Sequence, residues 1–180
     1  FVPSHMRPLS YIDEDIQVAP GRYLMEPSPF AKLIQLAEIR PNDFVLDVGC
    51  GTGYSSAVIS RIASSVVALE NDPALAAAAS ETLSRLGYDN CAVVEGPLHE
   101  GLPAEAPFDV IFVGGAVDEV PQALLDQLRE GGRLVVVVGE GNAGVATVYM
   151  KVDGVVSPRR AFNAAVRMLP GFRKEPAFRF

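Results

Sequence analysis

Five residues pose the chemical question: Asp47, Gly49, Gly51 and Gly53, spaced two apart inside "FVLDVGCGTGYSS", and Glu70, 19 positions beyond Gly51. A short apolar run ends in an acid, breaks into three glycines and resumes as an amphipathic segment, the pattern of a strand handing over to a helix beside a ligand. A nucleoside triphosphate would need Lys and then Ser or Thr after the last glycine, and Tyr54 follows Gly53 instead. A dinucleotide prefers G-x-G-x-x-G, whose third glycine lets helix and strand approach. The D-x-G-x-G-x-G spacing puts an acid at the end of the first strand. There it would repel a pyrophosphate but accept hydrogen bonds from an ammonium group, which the methionine moiety of S-adenosylmethionine carries. Glu70 sits close to the spacing of about 20 residues at which a carboxylate meets adenosine ribose hydroxyls. Each charge-assisted bond there contributes about 1.5–3 kcal/mol. Together the two acids favour S-adenosylmethionine over NAD, and a tight turn with no ligand is the bland alternative.

The elements that must position these acids are legible around them. Apolar runs at Phe44–Val48, Val66–Glu70, Ala92–Glu95, Val110–Gly114 and Leu134–Gly139 lack polar alternation, as expected for parallel strands covered on both faces. Helical patterns separate them. Ser28 before Pro29 and Asp72 before Pro73 read as N-caps with proline at the first helical position. Leu75, Ala79, Leu83 and Leu86 predict an inward stripe that Gly87 ends, and a further helix is expected over Pro121–Arg129. After the fifth strand, "GVATVYMKVDGVVSPRRAF" predicts two extended segments joined at Asp153-Gly154, a hairpin signal. The fold class that follows is α/β: five parallel strands plus a C-terminal antiparallel hairpin, with helices on both faces, the Rossmann-like sheet of class I methyltransferases.

Composition bounds the function. At 180 residues the chain fits a single domain that buries roughly 70 % of its unfolded surface. Its expected parts are residues 1–27 on the acceptor side, 28–139 as the cofactor-binding core and 140–180 as hairpin and basic tail. A content of 49 % hydrophobic and 21 % charged residues is that of an ordinary globular domain, and no apolar run approaches the roughly eighteen residues of a membrane span. No secretory signal pattern follows Phe1, so the natural N-terminus is expected upstream. Cys50 and Cys91 are too few and too far apart for a metal site and are expected as reduced, buried thiols in a cytoplasmic protein. A net charge of −7 argues against nucleic acid as a partner. Residues 1–150 hold 8 Lys+Arg against 20 Asp+Glu, whereas residues 151–180 hold 7 against 2. The basic tail either lies against the acidic body or recruits an acidic partner.

Four segments carry a family resemblance. "FVPSHMRPLSYIDEDI", "LDVGCGTGYSSAVIS", "ALENDPALAAAA" and "PFDVIFVGGAVDEVPQALLDQLREGGRLVVVVG" resemble, in order and spacing, the protein-L-isoaspartate O-methyltransferases, and the opening "FVP" is particular to that family. The resemblance implies a metal-free, S-adenosylmethionine-dependent enzyme that methylates the carboxylate of isoaspartyl residues in damaged proteins. It further implies that Asp47, Gly49, Cys50, Gly51, Gly53, Tyr54, Ser55, Glu70, Asn71, Gly96, Pro97 and Gly114 line the cofactor. Ser55 and Ser56 open a helix, as partners of backbone groups or of the cofactor's carboxylate.

The chain also departs from that family. Where the family reads roughly Gln-Thr-Ile-Ser-x-Pro, with the Ser implicated beside the substrate, this sequence reads "RYLMEP" from Arg22 to Pro27. Met25 stands at the serine position, and a thioether donates no hydrogen bond. Arg22 and Tyr23 are the candidate replacements for the missing donor, since Arg binds carboxylates bidentately and Tyr offers a hydroxyl, with Glu26 bordering the same space. Pro97 replaces the Asp of the family's Gly-Asp-Gly, and Gly114-Gly115-Ala116 replaces Thr-Ala-Ala. The closing Arg-Phe-Val-Pro element has no evident match in "RRAFNAAVRMLPGF". His99 lies near the expected cofactor mouth and His5 far from any motif; neither is expected to act chemically. Two function classes follow: a carboxyl methyltransferase of the isoaspartyl-repair type, or a catalytically weakened S-adenosylmethionine-binding sensor or scaffold. A methyltransferase for a small carboxylic acid is the third.

Overall fold

A computed structural model describes residues 1–174; residues 175–180, which include Arg179 of the basic tail, lie outside it. Seven strands form the main sheet: β3 (Phe44–Val48), β4 (Ser65–Glu70), β5 (Cys91–Glu95), β6 (Phe108–Val117), β7 (Leu128–Val138), β8 (Val145–Val152) and β9 (Val155–Asn163), in the order β5-β4-β3-β6-β7-β8-β9. The first five are parallel, and β8 and β9 close the edge as an antiparallel hairpin turning at Asp153 and Gly154. A separate two-stranded sheet pairs β1 (Ile16–Ala19) with β2 (Arg22–Leu24), which the sequence did not foretell because neither segment is longer than four residues.

The unbroken apolar runs have a direct cause. Val45 and Phe112 face one core with Phe30, Leu33 and Ile59, while Leu46 and Ile111 face the other with Leu98, Leu124 and Leu134. Alternate residues of each strand thus enter two different cores, and neither set can be polar. Helix α1 (Pro27–Ala37) and α2 (Tyr54–Ser60) cover the first face, and α4 (Gln122–Asp126) the second. Helix α3 (Pro73–Arg85) starts at Asp72 as expected, its carboxylate accepting from the backbone N–H of Ala74 and Leu75 at 2.9 and 3.1 Å.

Three boundaries differ from expectation. The cap of α1 is Glu26, with Pro27 rather than Pro29 opening the helix; Glu26 N–H donates to Asp15 Oδ1, so the chain turns earlier than Ser28. Leu86 is 46 % exposed because α3 has ended at Arg85, and the left-handed Gly87 lets Tyr88 N–H reach the Leu83 carbonyl. Helix α4 stops at Asp126 because Leu128 already pairs with Phe108, and the β6–β7 register then slips before Arg133 meets Val110.

Strand β6 also continues past Gly114. Between Phe112 and Ala116 its register with β7 slips, and Ala116, still paired with Val137, exchanges backbone hydrogen bonds with residues 167 and 169. A methyl on Gly115 would lie 2.7 Å from Leu169 Cγ and 2.9 Å from the Arg167 carbonyl. Gly115 thus makes room for the C-terminal segment, while a methyl on Gly114 would meet the Gly49 carbonyl at 3.2 Å.

Candidate cofactor and acceptor site

The strand order reverses at β3, whose neighbours β4 and β6 lead away in opposite directions. A crevice opens there at the carboxyl ends of the strands. Asp47, Glu70 and Gly114 all stand at this rim.

Asp47 is wholly buried. The hydroxyls of Ser55 and Ser56 both donate to its Oδ2 at 2.6 Å, while Oδ1 has no partner among the described residues. The two serines therefore hold the acid, a side-chain role the sequence reading did not anticipate, and Ser55 also lines the small hollow over the glycine loop. Burial pushes the Asp47 carboxyl up to about 6, against the two hydroxyls, with the Glu70 charge adding to the rise. Thr52, between the second and third glycines, has a buried Oγ1 that likewise lacks a partner. It was not among the expected site residues, although its place inside the loop was signal enough.

The glycines answer separate needs. Gly51 is left-handed at φ +56°, with nothing within 4 Å of where a side chain would begin, so it leaves the crevice floor open. A methyl on Gly49 would instead meet Leu169 Cδ2 at 2.9 Å. Cys50 is buried and Cys91 half-buried, both as free thiols, and burial pushes the Cys50 thiol far up and that of Cys91 up to about 12.

Glu70 is fully buried and saturated. Its Oε1 accepts from the backbone N–H of Asn71 and Asp72 at 2.9 and 3.1 Å, and its Oε2 from Gly51 N–H at 2.7 Å. Arg22 completes the set, forked across both oxygens, with Nη2 at 2.6 Å from Oε2. The same guanidinium reaches Asn71 Oδ1 at 3.1 Å and the Gly49 carbonyl at 3.4 Å.

Two hollows flank this pair. One, about 450 Å³, lies over Asn71, Gly96, Pro97 and His99 and is closed by Pro170 and Gly171. Its walls suit an adenine held by apolar contact. The other, about 30 Å³, lies over Gly49, Cys50, Gly51, Tyr54 and Ser55, with Tyr23, Met25 and Phe30 opposite and Gly114 at its base. Met25 packs against the first core. The ring of Tyr23 lies under Arg167 at 4.8 Å, and Arg167 Nε donates to Asp15 Oδ2 at 3.1 Å. Arg22, Tyr23 and Met25 are thus brought together, but Arg22 faces Glu70 in this arrangement. His99 is over half exposed beside Glu100, and His5 is exposed away from the crevice.

Over residues 1–171 the chain matches the family described as Protein-L-isoaspartate(D-aspartate) O-methyltransferase (PCMT). The chain belongs to this family. It is 42 % identical over 170 residues to the protein-L-isoaspartate O-methyltransferase of Roseiflexus castenholzii, covering 94 % of this chain and 77 % of that one. To the enzyme of the same name from Koribacter versatilis it is 40 % identical over 154 residues, covering 86 % and 69 %. A solved protein-L-isoaspartate O-methyltransferase superposes with a TM-score of 0.79 at 31 % identity, covering 91 % of this chain and 55 % of that one. A Plasmodium falciparum structure assigned to the same family, in complex with S-adenosyl-L-homocysteine, gives 0.77 at 25 % identity, covering 91 % and 83 %.

The family match runs through Arg167-Met168-Leu169-Pro170, the stretch in which no closing Arg-Phe-Val-Pro element was evident. Leu169 packs against Gly49 and Gly115 while the backbone of residues 167 and 169 bonds to Ala116, so the segment forms the cleft wall through contacts distant in sequence. Arg167 and Leu169 escaped the sequence reading for this reason.

Proposed function

We propose that this chain transfers a methyl group from S-adenosylmethionine to the side-chain carboxylate of isoaspartyl residues in proteins. The observation that carries this reading is the buried Asp47 Oδ1 with no partner, at the rim where the strand order reverses. An anionic acceptor atom with nothing to accept suits the ammonium of the cofactor's methionine moiety. The equally orphaned Thr52 hydroxyl suits its carboxylate, and Gly51 leaves room between them. On this reading Glu70 would meet the ribose once Arg22 is displaced, and Asn71, Gly96 and Pro97, which line the larger hollow, would border the base.

The cofactor supplies an electrophilic methyl on a sulfonium, whose departure leaves a neutral thioether. An isoaspartyl carboxylate is ionised at pH 7, so no residue of the chain has to remove a proton. The protein's work is alignment, which contributes on the order of 7–11 kcal/mol when geometry is held. Tyr23, Met25, Phe30 and Tyr54 wall the hollow where the acceptor would enter and keep water from the reacting atoms. Arg22 and Arg167 border the adjoining hollow. Among the described residues no three or more His, Cys, Asp or Glu converge on a metal site, and no helix is long and apolar enough to cross a membrane. Two thiols with raised pKa suit a reducing cytoplasm. The basic C-terminal residues favour an internal role over recruiting an acidic partner: Arg167, Arg173 and Lys174 pair with Asp15, Glu140 and Glu119.

Methyl transfer to an isoaspartyl peptide, followed with labelled cofactor, tests the proposal; absence of methyl ester in the presence of bound cofactor overturns it. Met25 favours a second reading, a cofactor-binding sensor or scaffold with weakened catalysis, because no hydroxyl stands at the position where the family carries one.

A further inference from the structure

We propose that Arg22 is a built-in competitor for Glu70, and that its exchange between Glu70 and the acceptor makes cofactor and acceptor bind cooperatively. This rests on the methyltransferase reading of the same cleft. A carboxylate offers about four lone-pair sites. Glu70 already receives three backbone N–H groups and both arms of the Arg22 fork, so it has no capacity left for ribose hydroxyls. The backbone donors belong to the glycine loop and the start of α3 and are fixed by the fold. Arg22 alone can leave.

The local structure permits that departure. Arg22 opens a three-residue strand in a two-stranded sheet that shares no ladder with the main sheet, and Gly21 precedes it in a left-handed turn. Ile16, 3 % exposed, anchors the hairpin independently of the ion pair. Arg22 also borders a second hollow with Asp15, Tyr23, Met25, Gly114 and Arg167, contiguous with the acceptor space through Tyr23, Met25 and Gly114. A guanidinium turned from Glu70 enters that space, next to the position where a serine is missing.

Energetics then couple the ligands. Breaking a buried ion pair is unfavourable when it strands either charge. Ribose hydroxyls satisfy Glu70 but cost Arg22 its carboxylate, since Asp15 beside the second hollow is already paired with Arg167; an acceptor carboxylate satisfies Arg22 but leaves Glu70 with its backbone donors alone. Both halves are satisfied only when both ligands are present. By linkage each ligand therefore raises the affinity for the other by the same factor.

Calorimetry on the full chain, with S-adenosylhomocysteine and a short isoaspartyl peptide as probes, tests this. In the wild type, saturating peptide should tighten S-adenosylhomocysteine binding about five- to tenfold. In Arg22→Gln, S-adenosylhomocysteine alone should bind about tenfold tighter than to the wild type, the peptide more weakly, and the coupling should vanish; Arg22→Lys, which keeps charge but loses the fork, should fall between. Unchanged or weaker S-adenosylhomocysteine binding by a folded Arg22→Gln, or coupling that survives the substitution, overturns the proposal. Should Arg22→Gln fail to fold, Arg22→Lys carries the same test, and wild-type affinity and coupling in it overturn the proposal. Failure of the methyltransferase reading has a different signature: tight S-adenosylhomocysteine binding with no methyl ester formed on the peptide.

Discussion

Ser56 donates its hydroxyl to Oδ2 of Asp47 across 2.6 Å, and Ser55 does the same, so the carboxylate is held by one oxygen while the other is buried without a partner among the described residues. Burial raises this carboxyl to about 6, and a cationic ligand must find it ionised. Affinity for S-adenosylhomocysteine should fall by about tenfold per pH unit below 6 and level off above it, with one proton released on binding in the acid range. Asp47→Asn should bind weakly at every pH and show no such inflection in calorimetry.

The same shift has an opposite consequence for the free protein. A carboxyl whose folded pKa exceeds its unfolded value near 3.8 contributes stability that is complete below that value and lost as pH rises through about 6. Asp47→Asn should therefore melt higher than wild type at pH 7, and the gap should close by pH 4. A gap that widens on acidification would contradict the assignment.

Removing one of the two hydroxyls weakens the hold on the anion without touching the cleft wall. Ser56→Ala should move the binding inflection upward by about one pH unit, corresponding to one charged hydrogen bond of about 1.5 kcal/mol. An unmoved midpoint in Ser56→Ala would assign the titration to another group.

Met25→Ser restores a donor where the family carries one. Turnover of an isoaspartyl peptide should rise up to about a hundredfold, with S-adenosylhomocysteine affinity unchanged and stability lower by about 1–2 kcal/mol from lost packing. Wild type without turnover beside an active Met25→Ser would favour the sensor or scaffold reading; a decrease in turnover would show that the thioether itself suits the acceptor.

Gly115→Ala forces a methyl to 2.7 Å from Leu169 Cγ. It should destabilise by about 1–3 kcal/mol and loosen cofactor binding as the C-terminal segment is pushed out. Gly131→Ala, which has open space but a positive φ, should lower the melting temperature without changing affinity.

Much of the fold was legible because buried parallel strands leave apolar runs that little else produces. Phe44–Val48 appears with its expected limits, and Asp153-Gly154 turns the hairpin where foretold. The D-x-G-x-G-x-G spacing likewise located Asp47 and the loop. Arg22 on Glu70 was not legible, since the partners lie 48 residues apart and nothing local in "GRYL" records a distant carboxylate. Residues 167–170 were obscured for a similar reason: their backbone bonds to Ala116, about fifty residues earlier, and nothing in "RMLP" records that partner. Leu86 kept its place in the periodic stripe, but the helix ended one residue before it.

Strand β9 forms one rim of the main sheet, and among the described residues no further strand pairs with its outer side. Pro158, Arg159 and Arg160 occupy the middle of that rim, all exposed. Proline cannot donate to an incoming strand, and two adjacent cations repel another copy bearing the same pair. Arg159 and Arg160, a share of the charge excess toward the C-terminus, are therefore placed to keep the sheet from growing into its neighbours.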